Sequence, residues 1–377
     1  MTIRGRIYCS VLLWLSAISP ARALFNLNEG KELVFVSATY SIGFDTNVFA
    51  REAAAKSMTQ TLSLGADYSR QAGLISVTAS AGASYGTFND VRGQDFTDPS
   101  LSVTFRKRYG RTTGSLALAT RRESQPDPDA GQRTHTWNHS AGLDLRYPVN
   151  DRYYFTNSFR GSSRLYTDKK EFSDLLTLSD SIALNYIYTS KLDLNTGYTI
   201  TASDTSKNTK AFDHSLTVGA SGGILPKLSG SIRVGIQRRN SELPDGTRES
   251  FDAFTSGTTL KWLYSRKLTF NADFTEDFST TSTDISVNRA SGGLHATASL
   301  SSKYIGNAGV SYTISNFLGK PGAGRKDELL QFDASIGLAL TTHIRTSLAY
   351  VYMINWSNSP GADFERQSLS LTIIATY

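Results

Sequence analysis

The sequence predicts an all-β protein, a transmembrane antiparallel up-and-down β-barrel of about 18 strands (16–18). Three observations support this fold class. Segments of about 8–15 residues with alternating apolar and polar side chains follow one another from near residue 32 to the end of the chain. Only 39% of the residues are hydrophobic while aromatic residues reach 11%, a bias that favours strands. Short and long connections between the segments alternate, as an up-and-down barrel requires.

The N-terminal residues have the features of a secretory signal peptide. A basic start precedes an apolar run over residues 7–18, and a small-x-small cleavage site ends at Ala23. The run is too short for a membrane helix, which needs about 20 apolar residues. We therefore expect a signal peptide over residues 1–23 and an outer-membrane β-barrel domain over residues 24–377. Cys9 would leave with the signal, so the mature chain would contain no cysteine.

The charge of the mature chain indicates no nucleic-acid partner. Loss of Arg4, Arg6 and Arg22 with the signal would lower the formal net charge from +6 to +3. This basic excess is mild, and no run of Lys or Arg suggests a nucleic-acid groove. Without cysteine there is no thiol chemistry, and we expect no cofactor.

The alternating segments each have one apolar and one polar face. In the last ten residues Leu369, Leu371 and Ile373 share a side, and serine and threonine occupy the other. This last segment, with the aromatic Tyr377 at its end, resembles the closing strand of bacterial outer-membrane β-barrels. The resemblance implies recognition by the barrel assembly machinery. Other clear segments lie near residues 32–44, 58–68, 75–85, 176–188, 330–340 and 344–354.

The connections sort by length. Short ones are predicted near residues 69–73, 109–112, 148–151, 189–190, 221–227, 265–266, 301–302 and 341–342. Longer polar ones are predicted near residues 45–57, 86–99, 121–135, 165–173, 203–212, 239–251, 280–289, 316–327 and 355–365. Such sorting places periplasmic turns at one rim and extracellular loops at the other, with both chain ends on the periplasmic side and an even strand number.

Tyrosines recur beside the short turns, and this placement predicts an aromatic girdle at the periplasmic interface. General β-propensity of tyrosine is the alternative. The tyrosines are Tyr68, Tyr109, Tyr147, Tyr188, Tyr264 and Tyr304.

Asp180 departs from the pattern, because it falls on the apolar column between Leu178 and Ile182. A carboxylate facing lipid costs on the order of 2 kcal/mol or somewhat less. Either a β-bulge shifts the register there or the assigned phase is locally wrong.

A family resemblance rests on residues 44–51, FDTNVFAR, with residues 85–88 (YGTF) and 94–96 (QDF). These resemble the putative β-barrel porin 2 family, whose pattern is aromatic-Asp-small-Asn-apolar-aromatic-Arg; here Ala50 intervenes before the arginine. The resemblance covers about the first quarter of the mature chain and implies a barrel fold in the outer membrane of a Gram-negative bacterium. Some members accompany exopolysaccharide export systems. The motif residues would be Asp45, Asn47, Phe49 and Arg51.

No motif for catalysis or metal binding is present. His135 and His139 would share a strand face but lie about 13 Å apart, too far for one metal. No serine has a nucleophile-elbow context, and we expect no enzyme; a barrel lipase or protease with catalytic groups on separate strands stays an alternative. Three carboxylates of one predicted loop, Glu123, Asp127 and Asp129, are interpreted as solvated loop charges, with a cation site as the alternative.

The column opposite the apolar one would line the lumen, and it carries about two cations per anion, which predicts a preference for anions. Pairing of these charges between strands is the alternative. The basic candidates are Arg106, Arg121, Arg146, Arg152, Arg160, Lys191, Arg233, Arg239, Lys261, Arg345 and Arg366. The acidic candidates are Asp144, Asp193, Asp273, Asp277 and Asp333.

A polar lumen of this width predicts a water-filled, porin-like pathway for polar solutes, with anions or saccharides as candidate classes. The alternative that the resemblance implies is a non-enzymatic component of an exopolysaccharide secretion system. Expected partners are outer-membrane lipids and lipopolysaccharide, the assembly machinery and, on the alternative, polysaccharide export components.

Overall fold

The computed structural model describes residues 25–27, 32–71, 73–167, 172–322 and 324–377. The predicted signal peptide, residues 1–23, lies outside these ranges, and its cleavage after Ala23 stays a prediction. In the part of the chain that is described, no helix is both long enough and apolar enough to cross a membrane.

Nineteen strands and one helical turn, α1 (Gly319–Gly322), make up the regular structure of these residues. The strands are β1 (Phe25–Leu27), β2 (Glu32–Asp45), β3 (Ser57–Arg70), β4 (Ile75–Phe88), β5 (Phe96–Lys107), β6 (Thr113–Asp127), β7 (Gln132–Pro148), β8 (Tyr153–Tyr166), β9 (Leu175–Thr189), β10 (Leu192–Thr205), β11 (Lys210–Leu225), β12 (Leu228–Glu242), β13 (Arg248–Trp262), β14 (Leu268–Thr280), β15 (Ser286–Ser299), β16 (Tyr304–Phe317), β17 (Lys326–Ala339), β18 (Ile344–Ser357) and β19 (Phe364–Thr376).

The sheet closes into a barrel. Each strand from β2 to β19 pairs antiparallel with its sequence neighbours, and β19 pairs with β2 from Ser368↔Asp45 to Thr376↔Ser37. The short β1 pairs with β2 beyond the end of β19, from Phe25↔Val34 to Leu27↔Glu32. The predicted up-and-down barrel of about 18 strands is therefore confirmed.

One phase of alternation persists around the whole wall. Large apolar side chains point outward and are exposed, as with Leu178, Ile182 and Leu369. Across the closing pair β19–β2, Leu371 opposes Ile42, so the outward column meets itself in register. A one-residue slip would invert every side chain of a strand, and the continuous phase shows that none has occurred at the closure.

The two rims differ in their connections. The rim at which β2 begins and β19 ends, here the terminal rim, has links of two to five residues; the opposite loop rim has links of four to eleven. Tyr109, Tyr188 and Tyr264 are exposed at the terminal rim. The loop-rim links are shorter than predicted: the expected loop at 121–135 is mostly paired strand. These segments are polar on both faces, so their sequence resembles that of loops although their backbones remain in the ladder.

Both explanations offered for Asp180 are wrong. The register of β9 passes through Phe159↔Asp180 and Ile200↔Asp180 without a shift, so no bulge is present and the phase is correct. Asp180 faces outward and accepts a hydrogen bond of 2.7 Å from Asn157 Nδ2. It is the sixth of the fifteen residues of β9, so the hydrogen bond from Asn157, rather than a position at the rim, offsets part of the cost of the outward charge.

Candidate functional site

The lumen face consists of the residues that alternate with the outward apolar column. Fourteen of the sixteen predicted lining residues lie on it: Arg106, Arg121, Arg146, Arg160, Arg233, Arg239, Lys261, Arg345, Arg366, Asp144, Asp193, Asp273, Asp277 and Asp333. Two predictions need correction. Arg152 and Lys191 lie in the terminal-rim turns before β8 and β10. Their orientation was predicted from the alternation of a strand, and this alternation does not continue through a turn.

The expected excess of lumen cations is wrong. Arg164 and Arg289 join the basic set, but the acidic set gains more members, because polar strand ends that look like loops continue the lumen column. The lumen face carries about as many acidic as basic residues. The added acids are Asp45, Asp67, Asp98, Glu123, Asp127, Asp213, Glu249 and Asp327.

Several lumen charges neutralise one another. Arg160 lies 2.6 Å from Asp144, with both side chains about half exposed to the lumen. The Arg146 guanidinium lies 3.8 Å from the ring centroid of Tyr154, whose hydroxyl donates to Asp193 at 2.6 Å. Pairing therefore accounts for part of the lumen charge, as the alternative interpretation proposed.

The basic side chains on the lumen face that make no ion pair with any described residue include Arg146, Arg233 and a set of three at the terminal rim. The three at the rim are Arg106, Lys261 and Arg345, and each is the second residue from the terminal-rim end of its strand. The uncompensated positive charge of the lumen wall thus includes a set at the terminal rim.

The β6–β7 hairpin crosses the lumen at the loop rim. Its tip carboxylate, Asp129, lies 3.2 Å from the Arg289 guanidinium on β15. In a closed wall of 18 strands, β15 stands nine positions from β6, on the opposite side. The Asp129 carbonyl also accepts a long hydrogen bond, 3.5 Å, from Arg325. The hairpin therefore spans the barrel and narrows this mouth.

Local sequence builds the hairpin tip. Asp127 Oδ1 accepts the Asp129 N–H at 3.0 Å, and the Asp127 carbonyl accepts the Gly131 N–H at 2.8 Å. Gly131 takes a φ of 63°, in the left-handed region that glycine tolerates best. The interpretation of Asp127 and Asp129 as solvated loop charges is thus wrong, because both organise a tip that lies inside the barrel.

The other arm of the hairpin packs on aromatic rings of the near wall. The Arg133 guanidinium lies 4.6 Å from the ring centroid of Phe88 and 5.9 Å from that of Phe96. Beside the hairpin lies a cavity of about 600 Å³ whose walls include Arg164, Thr201 and Phe278. This is the volume next to the constriction.

Burial raises the pKa of Asp129 above its ordinary value, and the nearby Asp127 adds to the rise against the opposing effect of Arg289 and Arg325. A docked tip therefore holds a proton more tightly than an undocked tip in water, where the pKa is about 4. Proton uptake favours the state with the higher proton affinity. Acidification should consequently favour the docked hairpin and reduce the conductance.

Single-channel recording at about pH 7 and about pH 4.5 checks this expectation, since the effect develops as the pH falls through the raised value and is complete below the ordinary one. Asp129→Asn should flatten the pH dependence, whereas Asp245→Asn, in the exposed link between β12 and β13, should not. Equal pH dependence in both variants would contradict the assignment.

The family-motif residues form a loop that fastens β2 to β19. Asp45 accepts hydrogen bonds from Arg366, the shortest being 2.7 Å. Asn47 is buried, and its Nδ2 donates to the carbonyls of Arg51 at 2.7 Å and Glu365 at 3.1 Å. The intervening residue, Ala50, has a φ of 52°. The motif therefore shapes the barrel closure at the loop rim.

The remaining two positions of the motif support each other. The Arg51 guanidinium lies 4.7 Å from the ring centroid of Phe49. A Cβ placed on Gly131 would lie 3.5 Å from Arg51 Cβ, so the motif loop also contacts the tip of the β6–β7 hairpin.

Arg239 is the largest fully buried side chain among the described residues, with 1% exposure, and sequence patterning gave it no special weight. It makes two hydrogen bonds of 2.7 Å to the Asp213 carboxylate. Its third nitrogen donates to the Ser279 carbonyl at 2.7 Å. Arg239 thus connects β11 and β12 to β14 inside the mouth.

One cluster at the loop rim joins Asp98, Ser124 and His135, a set of residue types that hydrolases use. Ser124 Oγ donates to Asp98 Oδ1 at 2.7 Å and lies 2.8 Å from His135 Nδ1. The hydroxyl gives its proton to the carboxylate, so His135 must act as a donor to it. A catalytic base would instead accept that proton, with the carboxylate behind it. The cluster is not a nucleophile–base pair.

Comparisons with known proteins agree with the architecture. OccK2 (OpdF) of Pseudomonas aeruginosa is similar over 91% of this chain and 98% of its own, with 12% identity and a TM-score of 0.51. The outer membrane protein opdK of the same organism covers 91% and 99%, with 11% identity and a TM-score of 0.48. Acinetobacter baumannii OccAB4 covers 91% and 98%, with 13% identity and a TM-score of 0.47. At 12% identity the likeness to OccK2 (OpdF) shows the fold alone.

No curated protein matches the chain in sequence. A family described as Putative beta-barrel porin 2 matches residues 198–377. The match covers 180 of the 377 residues, just under half of the chain, whereas the resemblance read from the sequence lay near residues 44–51. Both lead to the same family. The protein is a porin-like β-barrel of the Gram-negative outer membrane, and its resemblance to the Putative beta-barrel porin 2 family is confirmed.

Proposed function

We propose that the barrel is a passive, water-filled pathway for small polar solutes, and that the β6–β7 hairpin sets its size limit. The observation that carries this proposal is the contact of Asp129 with Arg289 on the opposite wall. A constriction held by side-chain contacts across a polar lumen selects by size and by hydrogen bonding. The loop rim would face the cell exterior, with both chain ends in the periplasm.

The solute class follows from the charge of the wall. Because acidic and basic residues nearly balance, we expect weak ion selectivity for the lumen as a whole. The unpaired Arg106, Lys261 and Arg345 favour anions at the terminal rim, so small carboxylates and acidic saccharides are candidate solutes together with neutral sugars.

Planar-bilayer recording of the purified protein tests both parts. We expect discrete channels with a small preference for anions. The triple variant Arg106→Ala/Lys261→Ala/Arg345→Ala should shift the reversal potential in a salt gradient towards cations without closing the channel. Arg152→Ala, in a terminal-rim turn, is the control. Absence of conductance in the parent protein would refute the pathway, and an unmoved reversal potential would refute the role of the three cations.

A component of an exopolysaccharide secretion system is the second candidate, and its support is the family resemblance alone. The motif residues that carry this resemblance have structural partners at the closure of the barrel, including Arg366. Deletion of the gene with unchanged surface polysaccharide would remove this candidate. Binding of an acidic oligosaccharide that blocks the single-channel current would favour it.

A further inference from the structure

The ladder between β13 and β14 ends halfway up the wall. Its last pair towards the loop rim is Ser256↔Glu276. On its other side β13 stays paired with β12 as far as Glu242↔Arg248. Residues 248–255 of β13 therefore present a free backbone edge towards β14, and such an edge is a template for another strand.

The missing partner has bent into the lumen. Residues 277–280 of β14 remain paired with β15, but the Ser279 carbonyl accepts from Arg239 at 2.7 Å. The tip of the β14–β15 hairpin is held by the loops beside β9 to β11. Asp284 accepts from the Thr209 hydroxyl at 2.7 Å, and the Ser282 carbonyl accepts from the Ser173 N–H at 2.9 Å.

The sequence of β14 nevertheless places this segment in the wall. Phe270, Phe274 and Phe278 share one parity, and the first two belong to the outward column. Phe278 instead lies in the lumen, with its ring centroid 5.2 Å from the Arg239 guanidinium. The alternation along β14 therefore predicts that the Phe278 side chain points outward, whereas in the lumen-bound position it points into the lumen.

Continuing the register would complete the wall. The next pair would be Thr255 with Asp277, and these side chains already share a hydrogen bond of 2.7 Å. Phe254 would then oppose Phe278 on the outer face, and Ala253 would oppose Ser279 on the lumen face. Aromatic pairs of this kind stabilise antiparallel strands.

The lumen-bound position has its own defects. Asp284 takes a φ of 69°, which is strained for a residue other than glycine. Its Oδ1 is buried and has no hydrogen-bond partner among the described residues.

One contact at the loop-rim end of the free edge stabilises the lumen-bound position. The Lys320 N–H in α1 donates to Glu249 at 3.2 Å, and this contact would open if the hairpin returned to the wall.

We propose that the free edge of β13 is a docking site for residues 277–280, and that the β14–β15 hairpin is a gate which exchanges between the lumen and the wall. Each position satisfies groups that the other leaves unpaired, which is the condition for two populated states. Its effect on conductance rests on the proposed function, but the exchange itself does not.

Paired cysteines in a Cys9→Ser background test the exchange, because Cys9 is the sole cysteine of the sequence. Ala253→Cys/Ser279→Cys reports the wall position. Thr259→Cys/Asp273→Cys lies in the existing ladder on the same face, an even number of residues away, and so has the same pair geometry. Thr209→Cys/Asp284→Cys holds the tip in the lumen. Mild oxidation in membranes, followed by gel analysis, gives the yield of each disulfide.

We expect the wall pair to oxidise more slowly than the ladder pair but to completion, because oxidation traps a minor state. The trapped wall state should conduct at least about twofold more, reversibly on reduction, and the lumen lock should not. A ladder pair that oxidises while the wall pair stays reduced would overturn the proposal, as would a wall lock without effect on an active channel. If no variant conducts, the pathway fails, and the disulfide yields still decide whether the hairpin moves.

Discussion

Replacing residues 126–133 with a two-residue Asn-Gly turn should raise the single-channel conductance several-fold, the largest functional effect that we expect from any single change. The replacement removes the hairpin tip and with it the contacts of Asp129 with Arg289 and Arg325. Gln125 and Thr134, which already pair, would close the shortened hairpin. An Asn-Gly turn suits a two-residue connection between antiparallel strands.

A matched control is the same replacement of residues 243–247 between β12 and β13, a loop-rim link that makes no described contact across the lumen. Its conductance should equal that of the parent protein. Equal conductance of the β6–β7 variant and the parent protein would show that the hairpin does not limit the current. In that case the variant and the parent protein should also exclude larger neutral sugars equally.

Arg239→Met should cause the largest loss of stability, about 3–5 kcal/mol, since removing one partner of a buried pair leaves the other charge uncompensated. Asp213 would keep its carboxylate in a site that excludes most water, and the Ser279 carbonyl would lose its donor. Thermal unfolding in detergent, followed by the shift between folded and unfolded bands on a gel, measures the loss.

The neighbouring residue supplies the control. Arg238 also makes a bidentate ion pair, with Asp252, but both side chains are exposed on the outer face. Arg238→Met should leave the unfolding temperature nearly unchanged. In Arg239→Met/Asp213→Leu most of the loss should be recovered, because an apolar pair avoids the uncompensated charge. Equal destabilisation by Arg238→Met and Arg239→Met would show that burial is not the cause.

The fold could be predicted because a barrel strand has a local signal. A period of two is visible in any ten residues, as in the last strand around Leu369 and Leu371, and the order of short and long links fixes an up-and-down path. Even the anomaly at Asp180 was found in this way. Its explanation was wrong, because the partner that accommodates the charge, Asn157, lies on another strand.

The site could be predicted only in part, because its geometry depends on contacts between distant residues. The orientation of Arg160 or Arg233 follows from local alternation. That Asp129 would be buried against Arg289, 160 positions later in the chain, has no local signal. The lumen acids at strand ends, such as Asp45 and Asp213, were missed because polar residues on both faces resemble a loop.

The fastening of β19 to β2 has a consequence for how the barrel is made. Asp45 finds its counter-charge in Arg366, and at the other rim Val36 and Tyr377 exchange backbone hydrogen bonds of 2.8 and 2.9 Å. Neither partner is available to β2 until β19 has joined the sheet. A barrel without β19 would keep a buried carboxylate at Asp45 with no counter-charge and an open seam along β2. The contacts that close the barrel therefore stabilise only a sheet in which all strands from β2 to β19 are in place.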